Sequence, residues 1–153
     1  MADITTTWSP YNLRGDWTVS NGSLASGNDL ETAVIISLFT DRRAAPSDVI
    51  PDGTGDPRGW WADVDTNGNL DEWGSRLWLI DRRTAPTKKT LNDAITYCQE
   101  ALEWLVTDGV VAKIDVNAQW NASNFLAVQV NIYKIDGNKQ SLQYQLLWNE
   151  VLT

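Results

Sequence analysis

The stretch of this chain best equipped for chemistry is Asp63-Val-Asp-Thr-Asn-Gly-Asn-Leu-Asp-Glu-Trp-Gly74, which follows the calcium-binding EF-hand loop pattern over its first nine positions. Asp63, Asp65 and Asn67 take ligand positions one, three and five, Asn69 offers its carbonyl, and Asp71 stands where a ligand or its water belongs. Gly68 allows the sharp turn. The twelfth position should be a bidentate Glu but is Gly74, and Glu72 comes two residues early. Any calcium bound here is therefore expected to be held weakly, at roughly 10⁻⁴–10⁻³ M or beyond. No strong helix flanks the stretch, and an acidic, turn-rich surface insertion accounts for the same residues better. No other cofactor is expected.

Catalytic equipment is scarce. The chain has no His, the commonest general base and metal ligand. Its single Cys98 lies on the apolar face of a helical pattern, which suits a small core residue better than a nucleophile. Twenty acidic residues guarantee that some carboxylate pair exists, so the count does not identify a glycosidase. No Gly-rich phosphate loop is present. The expectation is a protein that is not an enzyme.

Aromatic residues are the other unusual resource, with nine Trp in 153 residues. Most should pack a core or an interface, since each indole supplies a large apolar area. Trp60 and Trp61 are adjacent. In an extended backbone neighbouring side chains face opposite ways, so one ring should point inward and the other should meet a neighbour. Sugar stacking on both rings is the competing possibility.

The elements that must position these groups fit a single domain, 1–153, with 47–75 as a long acidic loop. Residues 48–72 hold Asp48, Asp52, Asp56, Asp63, Asp65, Asp71 and Glu72 against the lone base Arg58. A net charge of −8 argues against nucleic acid as a partner. The longest apolar run, 33–39, falls far short of the ~20 residues a membrane span needs, so no membrane is expected. The start, Met-Ala-Asp-Ile-Thr, lacks the basic and apolar stretches of a signal peptide, which points to synthesis in the cytosol.

Residues 16–25 read as a hairpin turned at Asn21-Gly22. A helix should follow, capped by Asn28 with Glu31 as capping-box partner, with Arg42 and Arg43 in its last turn and Pro46 ending it. Leu77–Ile80 is either a buried strand or the approach to a second helix. That helix is the clearest element, because Leu91, Ile95, Cys98, Leu102 and Leu105 share one face. Thr87 or Thr90 should cap it and Gly109 should close it. Its charges oppose its dipole, with Lys88 and Lys89 at the start and Glu100, Glu103 and Asp108 toward the end. Either solvent screens them or they meet a partner. Three alternating runs then predict an antiparallel meander: Val110 to Val116, Leu126 to Ile132, and Leu142 to Trp148, the last two joined at Asp136-Gly-Asn138. The fold class is α+β: two layers, with the three-stranded C-terminal meander packed on the amphipathic helix, after an N-terminal hairpin and helix. The third strand, with uncharged Gln143 and Gln145 and with Leu147, is an edge open to a partner strand.

Four stretches carry a resemblance: Leu30 to Ala44, Pro51-Asp-Gly with Arg58-Gly-Trp-Trp-Ala-Asp63, Gly74-Ser-Arg-Leu-Trp-Leu79, and Ala101 to Val110. In this order they resemble the baseplate wedge, or sheath-initiator, proteins of Mu-like contractile-tailed phages, related to a wider wedge family once labelled lysozyme-like. The Val64–Trp73 stretch looks like an insertion against that pattern. The resemblance implies a structural role in the virion tail baseplate, after synthesis in the host cytoplasm. Expected partners are other wedge proteins, the tail sheath protein, and central hub or tube proteins, with about six copies arranged around the tail axis. It supplies no catalytic residues. Interface residues are then expected at Trp60, Trp61, Gln143, Gln145 and Leu147. A carbohydrate-binding module and a peptidoglycan hydrolase remain the alternatives.

Overall fold

A computed structural model describes residues 4–10, 14–24, 27, 29–63, 72–80, 87–121 and 125–147. Strands β1 (Thr6–Ser9) and β2 (Arg14–Trp17) pair antiparallel, with Trp8 opposite Gly15. This pair has too little alternation to be seen in sequence, and it takes Asp16 and Trp17 out of the predicted 16–25 hairpin by pairing them with Thr7 and Thr6. The predicted hairpin exists but is small, with β3 (Val19–Ser20) against β4 (Ser23–Leu24). Asn21 and Gly22 turn it at φ 51° and 78°, the left-handed pair that matches strand twist.

Helix α1 (Asp29–Phe39) buries Thr32, Val34, Ile35, Ser37 and Leu38. Its buried hydroxyls are all engaged. Thr32 Oγ1 accepts from the Thr6 N–H at 3.2 Å, and Ser37 donates to the Ala33 carbonyl at 2.8 Å. The helix stops sooner than the sequence suggests, so Arg42 and Arg43 are not in its last turn and Pro46 does not end it. The cause is a contact from afar. Ser75 forms a parallel bridge with Asp41, its N–H donating to the Thr40 carbonyl at 2.9 Å and its carbonyl accepting from the Arg42 N–H at 3.0 Å. Those bonds pull the chain out of helical geometry. The expected cap Asn28 lies outside the described residues.

Arg76–Leu79 is a short 3₁₀ turn, not a strand, capped by the Ser75 side chain. Helix α2 (Lys88–Thr107) begins at Thr87, whose side chain accepts from the Thr90 N–H, and Gly109 follows its end at φ 74°. Ala94, Cys98, Ala101, Leu102 and Leu105 are buried on it, with Leu91 and Ile95 half-buried against the same core.

Strands β5 (Lys113–Trp120), β6 (Phe125–Tyr133) and β7 (Lys139–Leu147) form the antiparallel meander in that order. Val110 is half exposed and precedes β5, so the first strand starts three residues later than the alternation implies. The Leu105 carbonyl takes the Val110 N–H in the helix-terminating turn, which keeps Val110 out of the ladder. Leu126, Val128, Val130 and Ile132 face the helices as expected. Behind them Asn131 is also buried, its side-chain oxygen accepting from Ser141 Oγ on the paired position of β7 at 2.7 Å. Trp8 stacks on Phe39 at 3.5 Å, and Phe39 meets Tyr144 edge-on at 5.7 Å, which joins β1, α1 and β7.

Cys98 sits fully inside this core, and burial alone pushes its thiol up to about 12 from an ordinary 9.0. Because the folded value is the higher one, the stability tied to the neutral thiol is complete below pH 9.0 and lost as pH rises toward 12. In the native chain the thiol should stay unreactive toward a disulfide reagent at pH 8 and react only on unfolding. Rapid modification without loss of helical circular dichroism would contradict this burial.

Candidate interaction surface

The 41–63 segment is long, but its carboxylates fold it. Asp48 accepts from the Ala45 N–H at 2.7 Å, and Asp52 accepts from both the backbone N–H and the hydroxyl of Thr54. Thr54, and after it Arg58, holds the Asp52 carboxyl below its ordinary pKa. Asp56 accepts from the Arg58 N–H at 2.9 Å. The acidic residues thus act first as local turn formers.

Arg58 ties this segment down. Its guanidinium bridges Asp41 at 2.7 Å and Asp52 at 3.1 Å and lies 4.3 Å over the Trp78 ring. Burial works against its charge, but Asp41 and Asp52 outweigh that and raise its pKa. Trp78 in turn donates its indole N–H to the Arg42 carbonyl at 2.7 Å.

Beyond Arg58 the chain makes a turn from Trp60 to Asp63. The Asp63 N–H donates to the Trp60 carbonyl, and one Asp63 carboxylate oxygen accepts from the Trp60 N–H at 3.0 Å. The other oxygen accepts from the Trp73 N–H at 3.2 Å. Asp63, only 4% exposed, is therefore a clasp that ties the Trp60 turn to Trp73. The remaining calcium candidates Asp65, Asn67, Asn69 and Asp71 lie outside the described residues.

This turn overrides the expectation for the tryptophan pair. Trp60 is 50% exposed and Trp61 88% exposed, so neither ring is packed inward. The alternation rule needs extended backbone, and a turn does not supply it. The indoles touch at 5.6 Å and tilt by 56°, so they offer no single flat platform of the kind a sugar face prefers. Beside them a hollow of about 440 Å³ is lined by Ile36, Thr40, Trp60 and Trp73. Ile36, on the outer side of α1, is itself 38% exposed.

The sequence did not reveal the ion-pair network beneath this surface. Arg76 reaches Asp48 at 3.1 Å and Glu100 at 2.7 Å, and Arg42 reaches Glu72 at 3.3 Å and Glu100 at 3.4 Å. Glu100, one of the charges opposing the α2 dipole, finds its partners within the chain. The reversed charge pattern was the signal, and only folding could name the arginines.

At the other end, β7 is an edge strand with Gln143 exposed and Gln145 half-buried. The edge is not wholly open. The Trp8 indole N–H donates to the Gln145 carbonyl at 3.0 Å. The backbone of Leu147 ends the strand, and its side chain lies outside the described residues.

Among the described residues no group of three or more acidic or thiol side chains is placed to hold a metal ion, and no helix is long and apolar enough to cross a membrane. A family model described as "Phage protein GP46" matches residues 30–139. The "Baseplate protein gp46" of Escherichia phage Mu is 40% identical over 151 residues, covering 99% of this chain and 100% of that protein. The "Mu-like prophage FluMu protein gp46" of Haemophilus influenzae is 32% identical over 149 residues, covering 97% and 99%.

Proposed function

The chain belongs to the phage protein GP46 family, and on that premise we propose that it is a structural component of a Mu-like phage tail baseplate. In this role it sits in the baseplate wedge, binds neighbouring subunits and helps to start the contractile sheath. No catalytic step is assigned to it. The observation that carries the reading is the pair of exposed indoles, Trp60 and Trp61, held out on a braced turn. Two large apolar rings side by side in water on a hydrogen-bonded turn suit an interface anchor.

Trp61→Ala therefore separates folding from assembly. The variant should stay within about 0.5 kcal/mol of the parent in denaturant unfolding, since the ring contributes little to the core. Its affinity for the adjoining subunits should fall by about 2 kcal/mol, seen as depletion from purified tails. Normal incorporation of the variant would remove this face from the interface.

The β7 edge is the second contact in the proposal. No Pro or Lys lies between Ser141 and Leu147 to block an added strand. In an antiparallel ladder the N–H and C=O of one residue point the same way. Since Trp8 takes the Gln145 carbonyl from outside, the Gln145 N–H faces away from β6. Gln145→Pro should therefore spare the internal ladder and leave a folded chain, while blocking strand addition and sheath initiation. Sheath of normal length on tails carrying that variant would rule out this mechanism.

A further inference from the structure

Two hollows meet at Trp73. One is the apolar hollow of Ile36 and Trp60 already described. The other is a cleft of about 400 Å³ between the Glu72–Gly74 stretch and the last turns of α2. Trp104 lies in it, tilted against Trp73 at 5.0 Å and pinned by its indole N–H to Ser37 Oγ at 3.0 Å. The aromatic floor is thus fixed before anything binds.

The walls of this second cleft are acidic. Glu72, Glu100, Glu103 and Asp108 line it, and Arg42 is the one cation among its described lining residues. Arg42 is already matched to Glu72 and Glu100. Glu103 and Asp108 are exposed and have no cationic partner among the described residues. They also stand at the C-terminal end of α2, where the helix dipole is itself negative. The fold gains nothing from carboxylates in that position, whereas a cation brought from outside would be attracted by all of them.

We infer that the joined cleft receives a segment of a partner protein bearing an apolar side chain followed by lysine or arginine. The apolar side chain enters the Ile36–Trp60 hollow, and the cation meets Glu103 and Asp108 across Trp73. An arginine there also gains the Trp73 indole face. This assignment rests on the baseplate reading and specifies the chemistry of the partner. The phosphates of a nucleic acid would face four carboxylates and be repelled.

Two measurements on isolated tails test it. Carboxylate labelling with carbodiimide and glycine ethyl ester should modify Glu103 and Asp108 in the free chain and spare them in the assembled tail. The double variant Glu103→Lys/Asp108→Lys should melt no lower than the parent, because cations suit a helix C-terminus. The same variant should be depleted from tails by about tenfold or more, because like charges then oppose across the contact. Equal labelling of free and assembled chain, or normal incorporation of the lysine variant, overturns the cleft assignment and leaves the baseplate role standing. Absence of the parent chain from purified tails would instead defeat the baseplate role itself.

Discussion

Replacing Gly74 with Ala is expected to cost about 3 kcal/mol or more of folding stability, a loss of roughly 6–12 °C in melting temperature for a domain of this size. Gly74 adopts φ +96°, where a side chain is strained before any neighbour is considered. A Cβ there would stand 2.3 Å from the Thr40 carbonyl oxygen, 2.9 Å from its carbon and 3.2 Å from the Arg42 nitrogen. All three are backbone atoms and cannot swing aside. Two of them also make the bonds that hold Ser75 to the end of α1, so any relief breaks the bridge that redirects the chain after Phe39. Thermal unfolding followed by circular dichroism is the check. A melting temperature within about 2 °C of the parent would mean the close approach is not a real constraint.

Arg76→Ala should be the next most damaging single change, at about 2–3 kcal/mol. The Arg76 guanidinium donates to both oxygens of Asp48 and, through Nε and Nη2, to Glu100, and it lies 4.7 Å over the Tyr97 ring. Burial opposes the charge, but Glu100 and Asp48 outweigh burial and raise its pKa, so the arginine stays charged. Without it, Asp48 has no cationic partner among the described residues, and Glu100 keeps only Arg42. A fully buried pair broken in this way would cost about 3–5 kcal/mol. The expectation is lower because the Arg76 side chain is 21% exposed and its partners 14% and 28%. Urea unfolding of the variant measures the cost, and repeating it in an Asp48→Asn/Glu100→Gln background isolates the electrostatic part. The substitution should be distinctly milder in that background. Equal cost in both backgrounds would shift the explanation to packing against Tyr97.

Local pattern carried much of the architecture. The α2 stripe from Leu91 to Leu105, its Thr87 cap and Gly109 end, and the inward Leu126, Val128, Val130 and Ile132 of β6 with Leu142 and Tyr144 of β7 emerge as the sequence implies, although β6 also buries Phe125, Ala127 and Asn131 on its other face. The Asn21-Gly22 turn does as well. Each depends on residues within a few positions of one another, where periodicity and turn chemistry act directly. The stretches that resemble Mu-like phage baseplate proteins were equally legible, and the family match covers 30–139.

The surface that binds partners in this proposal was legible only as a list of residue types. Trp60 and Trp61 were singled out by their adjacency, yet their shared exposure follows from the Asp63 clasp, whose second bond comes from Trp73. The early end of α1 follows from Ser75, which lies 35 positions beyond Thr40 in the sequence. The acidic cleft joins Glu72 to Glu100, Glu103 and Asp108 only because Arg42 and Arg76 draw the central segment onto α2. Single-residue propensity cannot choose among twenty acidic and twelve basic side chains for such pairs. That choice belongs to the tertiary fold, because a hydrogen bond or ion pair between distant residues forms only after the core has brought their backbones together.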